Sequence, residues 1–390
     1  MSFALLALIC GVALLGPIVS LNRLAHIPVV IGELLVGVVL GQSGFGVIES
    51  SDVTLSFLAQ IGFALVMFVA GTHVPLRQRA MLGGLRVGVL RALGVGVLAA
   101  PLGLLIAHLF GTGHAALYAV LIASSSAGIV LPSLGGLEVN TPAGLQMLVQ
   151  LAVADAACIV ALPLVLDPAH AARAGLGAVA VLAVAAVFFL LLWWSQRSGL
   201  RGRVHQVSER RGLAMELRVT LTLLFTLSAI AVGLGVSVML AGFAMGLAMS
   251  AAGEPRRVAN QTFALTEGFF APIFFVWLGS SLDLRAIAAN PTAIGLGVAL
   301  GTAALLAHGL MALTRQPLPI ALTTAAQLGV PIGAAALGKT MGVLVDGEAT
   351  AMLLGALITI AMVTLLSARV AALVHDPSAT SEPDPAANGR

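Results

Sequence analysis

Charged residues are scarce in this 390-residue chain, at 9% of the total, whereas soluble domains carry about 25%. Hydrophobic residues reach 59%, and the mean hydropathy is +1.07. Such a composition does not supply enough polar side chains to cover a soluble fold. We therefore predict an all-α polytopic membrane protein, nearly all of which lies within the lipid bilayer.

Cysteine and lysine are also rare. The two cysteines, Cys10 and Cys158, fall inside apolar segments, which argues against a disulfide framework or a metal site. Lys339 is the single lysine, so the net charge of +3 comes from arginines. These arginines lie between apolar segments, where they set membrane orientation rather than bind nucleic acid.

Motifs of intramembrane enzymes are absent as well. The sequence contains no HExxH or GxSxG motif and no pair of aspartates in an apolar segment, so nothing in it supports catalysis within the membrane. No resident cofactor is predicted. Glycine is instead abundant, with 44 residues, which favours close helix packing through small residues.

About thirteen apolar segments are long enough to cross a bilayer, which takes roughly 20 residues. They lie near residues 2–21, 28–46, 53–73, 82–110, 114–134, 142–166, 172–195, 215–233, 236–252, 262–281, 291–313, 318–340 and 348–374. Residues 1–375 are therefore predicted to form one transmembrane domain. The tail 376–390 is rich in Pro, Ser, Asp and Asn and is predicted to be disordered.

The arginines predict the orientation. If the N-terminus lies outside, most arginines fall at cytoplasmic ends of spans, including those of the most basic loop, Arg197 to Arg218. Only Arg173 and Arg285 then fall outside. Since an excess of basic residues marks cytoplasmic loops, we predict an outside N-terminus and a cytoplasmic C-terminus.

The chain repeats itself at long range. Residues 61–77 align without gaps on residues 269–285, and the Gly32–Gly37 segment resembles Gly242–Gly246. These matches pair spans 2–6 with spans 9–13, and the offset of seven spans turns the second copy upside down. Inverted-topology repeats characterise secondary transporters; chance similarity between apolar segments is the alternative. The predicted repeats cover residues 28–166 and 236–374.

Spans 5 and 12 each combine hydroxyl side chains, Gly and Pro near mid-membrane. Because proline removes a backbone donor and disturbs the preceding turn, we predict two crossed, broken helices at matching places in the repeats. The alternative is a simple proline kink, with serine and threonine serving only helix packing. The predicted helix breaks are Gly128, Pro132, Gly329 and Pro331. The candidate oxygen ligands for an ion are Ser124, Ser125, Ser126, Thr323, Thr324 and Gln327.

Asp155 lies about 13 residues, or roughly 20 Å, into span 6. A carboxylate at the centre of a membrane helix costs about 2.5–3.5 kcal/mol on insertion scales, so it usually has a function. Burial disfavours the charged form of a carboxyl group, so a monovalent cation and a proton can compete for Asp155. The alternative is a protonated aspartate with a structural hydrogen bond.

Three other polar residues of the spans receive lesser roles. Glu33 and Glu267 lie near the cytoplasmic face of spans 2 and 10, where they are expected to orient helices or line the inner vestibule. Gln150, five residues before Asp155, is predicted to lie too far around the helix to contribute to the ion site.

Four segments, at residues 26–41, 59–71, 140–144 and 270–283, match blocks of one family in order. The chain resembles, over residues 1–375, the bacterial monovalent cation:proton antiporters of the second cation:proton antiporter family, which includes sodium/proton exchangers and Kef-type potassium efflux systems. The resemblance implies the sodium/proton antiporter fold, with a core domain that moves against a dimerisation domain. It also implies a homodimer in the bacterial inner (cytoplasmic) membrane.

Two positions depart from the family's pattern. The family usually places a polar or acidic residue directly before the ion-binding aspartate, where this chain has Ala154. The family also tends to place a lysine in the helix that follows the block at 270–283, and the nearest equivalent here is His308. The resemblance implies that His308 is the candidate for compensating the charge of Asp155. A neutral His308 would make the exchange electroneutral.

The leading hypothesis is therefore an antiporter that exchanges Na⁺, or K⁺ or Li⁺, for protons by alternating access at a single aspartate. Two alternatives stay open. One is a sodium-coupled symporter of organic anions on a related inverted-repeat fold. The other is a sensor or accessory membrane protein that keeps the fold without transport, as the missing partner at Ala154 suggests.

Overall fold

The computed structural model describes residues 1–20, 29–72, 81–134, 139, 141–166, 171–199, 202, 208, 210–211, 213–253, 256–282, 285 and 290–375. Within these residues every regular element is a helix, as an all-α membrane protein requires. The predicted disordered tail, and Arg23, Arg77 and Arg79 among the orienting arginines, lie outside the described residues.

Seventeen α-helices are described and are numbered here in chain order. They are α1 (Phe3–Ala13), α2 (Leu15–Ser20), α3 (Val29–Leu40), α4 (Val53–Thr72), α5 (Met81–Phe110), α6 (Ala115–Ala123), α7 (Ala127–Ser133), α8 (Pro142–Leu166), α9 (Ala171–Arg197), α10 (Met215–Gly233), α11 (Val238–Ala252), α12 (Arg256–Leu265), α13 (Ala271–Ser280), α14 (Pro291–Gly309), α15 (Leu318–Thr323), α16 (Gly329–Met341) and α17 (Glu348–Val374). A π-helical turn, Thr266–Phe270, joins α12 to α13, and a 3₁₀ turn, Leu310–Thr314, extends α14.

Eight helical stretches in the described part of the chain are long and apolar enough to cross a membrane. They are α4, α5, α8, α9, α10, the continuous α12–α13, α14 with its 3₁₀ turn, and α17. The other five predicted spans fall on shorter helices: α1 with α2, α3, α6 with α7, α11, and α15 with α16. The predicted membrane protein is confirmed, and the count of thirteen crossings stays a prediction.

Local sequence explains where several helices begin. Ser237 precedes α11, and its hydroxyl accepts a hydrogen bond from the Met239 amide at 3.2 Å. Asn290 precedes α14, its side-chain oxygen accepts from the Ala293 amide at 3.1 Å, and Pro291 is the first helical residue. Both patterns satisfy or remove donors that a helix start leaves unpaired.

Glycines bring two helix pairs into backbone contact. Helix α3 crosses α13 at Gly37, where a Cβ atom would lie 2.2 Å from the Val276 carbonyl oxygen. Helix α4 crosses α11 at Gly246, where a Cβ atom would lie 2.2 Å from the Phe68 carbonyl oxygen. Only glycine permits such an approach. With the contact of α4 to α13, these four helices form one closely packed group.

A second group surrounds the two short helix pairs. Helix α5 packs on α6 and α8, and α14 packs on α17, while α6, α7, α15 and α16 all contact α8. The two groups meet where α4 contacts α7 and where α8 contacts α11, and α9 packs against both α8 and α11. Asp155 lies on α8, in the second group.

Candidate functional site

Two spans of the second group are interrupted in the middle. Helix α6 ends at Ala123 and α7 begins at Ala127, while α15 ends at Thr323 and α16 begins at Gly329. The two interruptions touch, because the Ser125 hydroxyl donates a hydrogen bond to the Thr324 carbonyl oxygen at 2.7 Å. Backbone groups that leave the helical ladder are therefore gathered at one place beside α8.

The residues predicted as helix breaks lie just after the interruptions instead. Gly128 and Pro132 are the second and sixth residues of α7, and Gly329 and Pro331 are the first and third residues of α16. The first turn of a helix has amide groups without an intrahelical acceptor, so Pro331 costs no hydrogen bond there. The prediction placed the proline at the break, whereas the structure places it inside the following helix.

All six predicted ligands are buried at these interruptions, but their hydrogen bonds differ. Ser124 donates to the Leu121 carbonyl at 2.8 Å and keeps its lone pairs. The Thr323 hydroxyl oxygen and the Gln327 amide nitrogen have no hydrogen-bond partner among the described residues. An unpaired buried polar atom costs about 1–3 kcal/mol, so these two atoms are suited to an additional partner. No hydrogen bond of the Ser126 hydroxyl is seen in the described part. The six exposures run from 0% to 5%.

Thr324 differs from the others because its hydroxyl group has three partners. It donates to the Ala321 carbonyl at 2.7 Å, accepts from the Gln150 amide nitrogen at 3.2 Å, and lies 3.0 Å from the His308 Nδ1 atom. With these three partners, its side chain joins three helices in this conformation.

Asp155 is 5% exposed on α8. Within the described residues its carboxyl group makes no ion pair and no hydrogen bond; the ion pairs that are seen there join other groups. Ala154 beside it is buried too and supplies no polar atom. A charged group in such a position is costly unless something pairs with it. Asp155 is therefore a buried acid of this group that has no hydrogen-bonding or ionic partner among the described residues.

His308 and Asp155 share no hydrogen bond or ion pair in the described part of the chain. It is completely buried on α14, and its Nδ1 atom faces Thr324. The Nδ1 atom and the Thr324 hydroxyl oxygen lie 3.0 Å apart, within hydrogen-bond distance, and the tautomer of the imidazole sets which of them donates. The candidate for charge compensation thus lies against the second interruption, with a hydroxyl rather than a carboxylate as its hydrogen-bond partner.

Gln150 contacts the second interruption, a role that the prediction did not give it. Its side-chain oxygen accepts from the Gln316 amide nitrogen at 2.9 Å, and its amide nitrogen donates to Thr324. The prediction considered only the angle to Asp155 on α8. It could not anticipate that α15, far away in sequence, would lie on the Gln150 face.

Arg91 is a second polar residue that sequence reasoning missed. It is 5% exposed on α5 and donates to the Gln146 side chain at 2.8 Å and to the Thr314 hydroxyl at 2.9 Å. A buried arginine about ten residues into an apolar helix that also carries Arg86 is the same kind of signal that singled out Asp155. That signal was available in the sequence.

A buried carboxylate also joins the first interrupted span to α17. Glu348 is 1% exposed and accepts from the Tyr118 hydroxyl at 2.7 Å and from the Val345 amide at 2.9 Å. The His114 Nδ1 atom lies 2.7 Å from the same carboxylate. Glu33, by contrast, is buried on α3, and Glu267 lies on the π-helical turn; neither belongs to the helix group around Asp155.

The sequence profile described as "Sodium/hydrogen exchanger, transmembrane" matches residues 10–374. The chain is 25% identical over 299 residues to a protein of Bacillus subtilis named the putative Na⁺/H⁺ antiporter YjbQ, a match that spans 73% of this chain and 48% of that protein. It is 27% identical over 275 residues to the Na⁺/H⁺ antiporter of Enterococcus hirae, covering 67% and 69% of the two chains.

The fold is similar to that of a solved structure, the sodium proton antiporter MjNhaP1 from Methanocaldococcus jannaschii. The TM-score is 0.66 at 18% identity, with 96% of this chain and 98% of that chain covered. This structural similarity establishes a shared fold. The match of the exchanger profile to nearly the whole chain establishes the family and confirms the predicted membership. The chain belongs to the sodium/hydrogen exchanger family, whose members are membrane transporters and not enzymes.

Proposed function

We propose that this protein is a secondary antiporter that exchanges a monovalent cation, Na⁺ or also K⁺ or Li⁺, for protons by alternating access. The observation that carries the proposal is Asp155, a buried carboxyl group that has no hydrogen bond or ion pair among the described residues and lies on α8, the helix that contacts both interrupted helix pairs. One acid that binds either a cation or a proton, and is exposed to one side at a time, is enough for coupled exchange. The names of the relatives support the same activity.

The geometry of the interruptions suits a bound cation near Asp155. Oxygen atoms that keep lone pairs, such as those of Ser124 and Thr323, and backbone carbonyls released from the helical ladder are typical ligands of hard cations. We assign the binding of the transported cation to Asp155 with these oxygens. The Thr324 hydroxyl serves the packing of α15 in this assignment.

The two glycine crossings support an arrangement of inverted repeats. In the sequence alignment of the repeats, Gly37 corresponds to Gly246 and Gly279 to Gly71. The Gly37–Gly279 crossing of α3 with α13 then corresponds to the Gly246–Gly71 crossing of α11 with α4, down to the carbonyl that each glycine faces. Two repeats related by a pseudo-two-fold axis are expected to show such a pair of equivalent helix crossings. We infer that residues 28–166 and 236–374 are the two copies and that α6–α7 and α15–α16 are the crossed, broken helices.

The remaining assignments follow from the family and the arginine pattern. We place the protein in the bacterial cytoplasmic membrane as a homodimer, with its N-terminus outside and its C-terminus in the cytoplasm. The group of α3, α4, α11 and α13 would form the dimerisation domain, and the group around Asp155 would form the moving core.

Exchange by purified protein in liposomes tests the proposed function. An outward gradient of Na⁺, K⁺ or Li⁺ should drive proton uptake, measured with a pH-sensitive dye, while a choline gradient should not. Absence of exchange with all three cations in folded, correctly inserted protein would contradict the antiporter and favour the sensor hypothesis. Cation flux that requires an added organic anion would favour the symporter.

We expect the exchange to be electroneutral. A buried charge is costly unless it is paired, and the hydrogen bond of His308 goes to a hydroxyl group, so a neutral imidazole fits this position. One cation then replaces one proton at Asp155. The initial rate should be the same at membrane potentials clamped to zero and to a large negative value with valinomycin and K⁺. A rate that changes with the potential would show that each transport cycle moves net charge across the membrane.

A further inference from the structure

Gln150 holds both ends of the short helix α15. Gln316, two residues before α15, donates to the Gln150 oxygen at 2.9 Å, and the Gln150 nitrogen donates to Thr324, directly after α15, at 3.2 Å. All three side chains are at least 96% buried. A helix of six residues is too short to be stable by itself, so the position of α15 depends on such contacts.

Arg91 reinforces this attachment one turn away. It bridges Gln146, four residues before Gln150 on α8, to Thr314, and donates to both the hydroxyl and the carbonyl oxygen of Thr314. Arg315, the next residue, has a φ of +62°, a left-handed conformation that costs an ordinary residue about 1–2 kcal/mol. The bonds on its two neighbours, Thr314 and Gln316, therefore hold a strained turn in place.

We propose that Gln150 is a positioning residue for cation binding, which fixes α15 on α8 so that the second interruption faces Asp155. It acts through α15, because Asp155 lies five residues further along α8, about 7.5 Å in rise. The neutral side-chain amide of Gln150 accepts one hydrogen bond and donates another, and it adds no charge near the Asp155 carboxylate. The proposal rests on the proposed antiport, and it predicts a change in cation affinity rather than in turnover.

The test compares Gln150→Leu with the parent protein in two measurements. Leucine has a similar size but makes neither hydrogen bond. Hydrogen exchange followed by mass spectrometry should show at least about tenfold faster amide exchange in residues 316–328. In the variant, local opening of α15 no longer has to break the two hydrogen bonds to Gln150. In liposomes, the cation concentration for half-maximal exchange should rise about tenfold, with the maximal rate per folded molecule within about twofold of the parent.

Two further variants distinguish positioning from general damage. The double variant Gln150→Leu with Gln316→Leu should bind the cation no more than about twofold more weakly than Gln150→Leu alone, because partners in one hydrogen bond do not add independently. Ser228→Ala removes a buried hydroxyl on α10 whose bond stays within its own helix, to the Leu224 carbonyl, and should behave as the parent in both measurements.

Each result bears on a different statement. Unchanged amide exchange in residues 316–328 of Gln150→Leu overturns the attachment of α15. Faster amide exchange with an unchanged half-saturating concentration overturns its role in cation binding. If the parent protein does not transport, the antiporter proposal is refuted. Cation binding is then measured by the rise of the melting temperature when the cation is added. An equal rise in the parent and in Gln150→Leu overturns the role of Gln150.

Discussion

Asp155→Asn is expected to abolish cation-driven proton movement, so that liposomes containing the variant should lose a pH gradient no faster than protein-free liposomes. Asparagine keeps the shape of the side chain, but it neither releases a proton at physiological pH nor supplies a negative charge to a cation. This expectation follows from the burial of Asp155 without a second carboxylate at Ala154, because no acid next to it on α8 replaces the lost group. Proton uptake driven by Na⁺, K⁺ and Li⁺ gradients is the measurement.

Asp346→Asn is the matched control. Asp346 is exposed in the connection before α17, so the same chemical change there should leave exchange at the parental rate. The Asp155→Asn protein itself should elute and melt like the parent, since it loses no hydrogen bond or ion pair seen among the described residues. Exchange by Asp155→Asn at the parental rate would contradict a mechanism in which the cation and the proton compete for Asp155.

Gly246→Val should prevent most of the protein from folding in the membrane. The new Cβ atom would lie 2.2 Å from the Phe68 carbonyl oxygen and 2.8 Å from the Gly71 Cα atom, and neither can move without displacing helix α4. Overpacking usually costs about 1–3 kcal/mol and occasionally more, and a clash of backbone with backbone belongs at the upper end. The yield of monodisperse protein and its melting temperature in detergent measure the effect.

Gly96→Val provides the comparison. Gly96 lies inside α5, with no heavy atom within 4 Å of its Cβ position, so the substitution makes the same change in helix propensity there without the clash. The two variants should therefore differ widely in melting temperature. Equal stability would mean that α4 and α11 do not cross at the distance described.

The sequence predicted the features that depend on a single residue in an unusual place. Asp155 was recognisable because a carboxylate in an apolar segment is expensive, and the two interrupted spans because Ser, Thr, Gly and Pro concentrate there. Arg91 carried the same type of signal, but its meaning depends on Thr314, 223 residues away. The sequence alone does not state which distant segment lies opposite a polar side chain.

The contacts around α15 could not be predicted for the same reason. Gln150 and His308 meet at Thr324, and Gln316 reaches Gln150, only because three helices converge there. Helix periodicity fixes the direction of Gln150 on α8, but the neighbour in that direction is set by tertiary packing. The positions of the prolines relative to the interruptions likewise depend on which residue begins the next helix, and local propensity tolerates several starts.

The glycine crossings of α3 with α13 and of α4 with α11 have one more consequence. Where backbone meets backbone there are no side chains whose rotamers can change, so these contacts have few alternative arrangements and little compliance. Small adjustments between packed helices usually proceed through such rotamer changes. We therefore expect these four helices to move as one rigid unit during the transport cycle. Displacement should occur instead at the contacts of α4 with α7 and of α8 with α9 and α11.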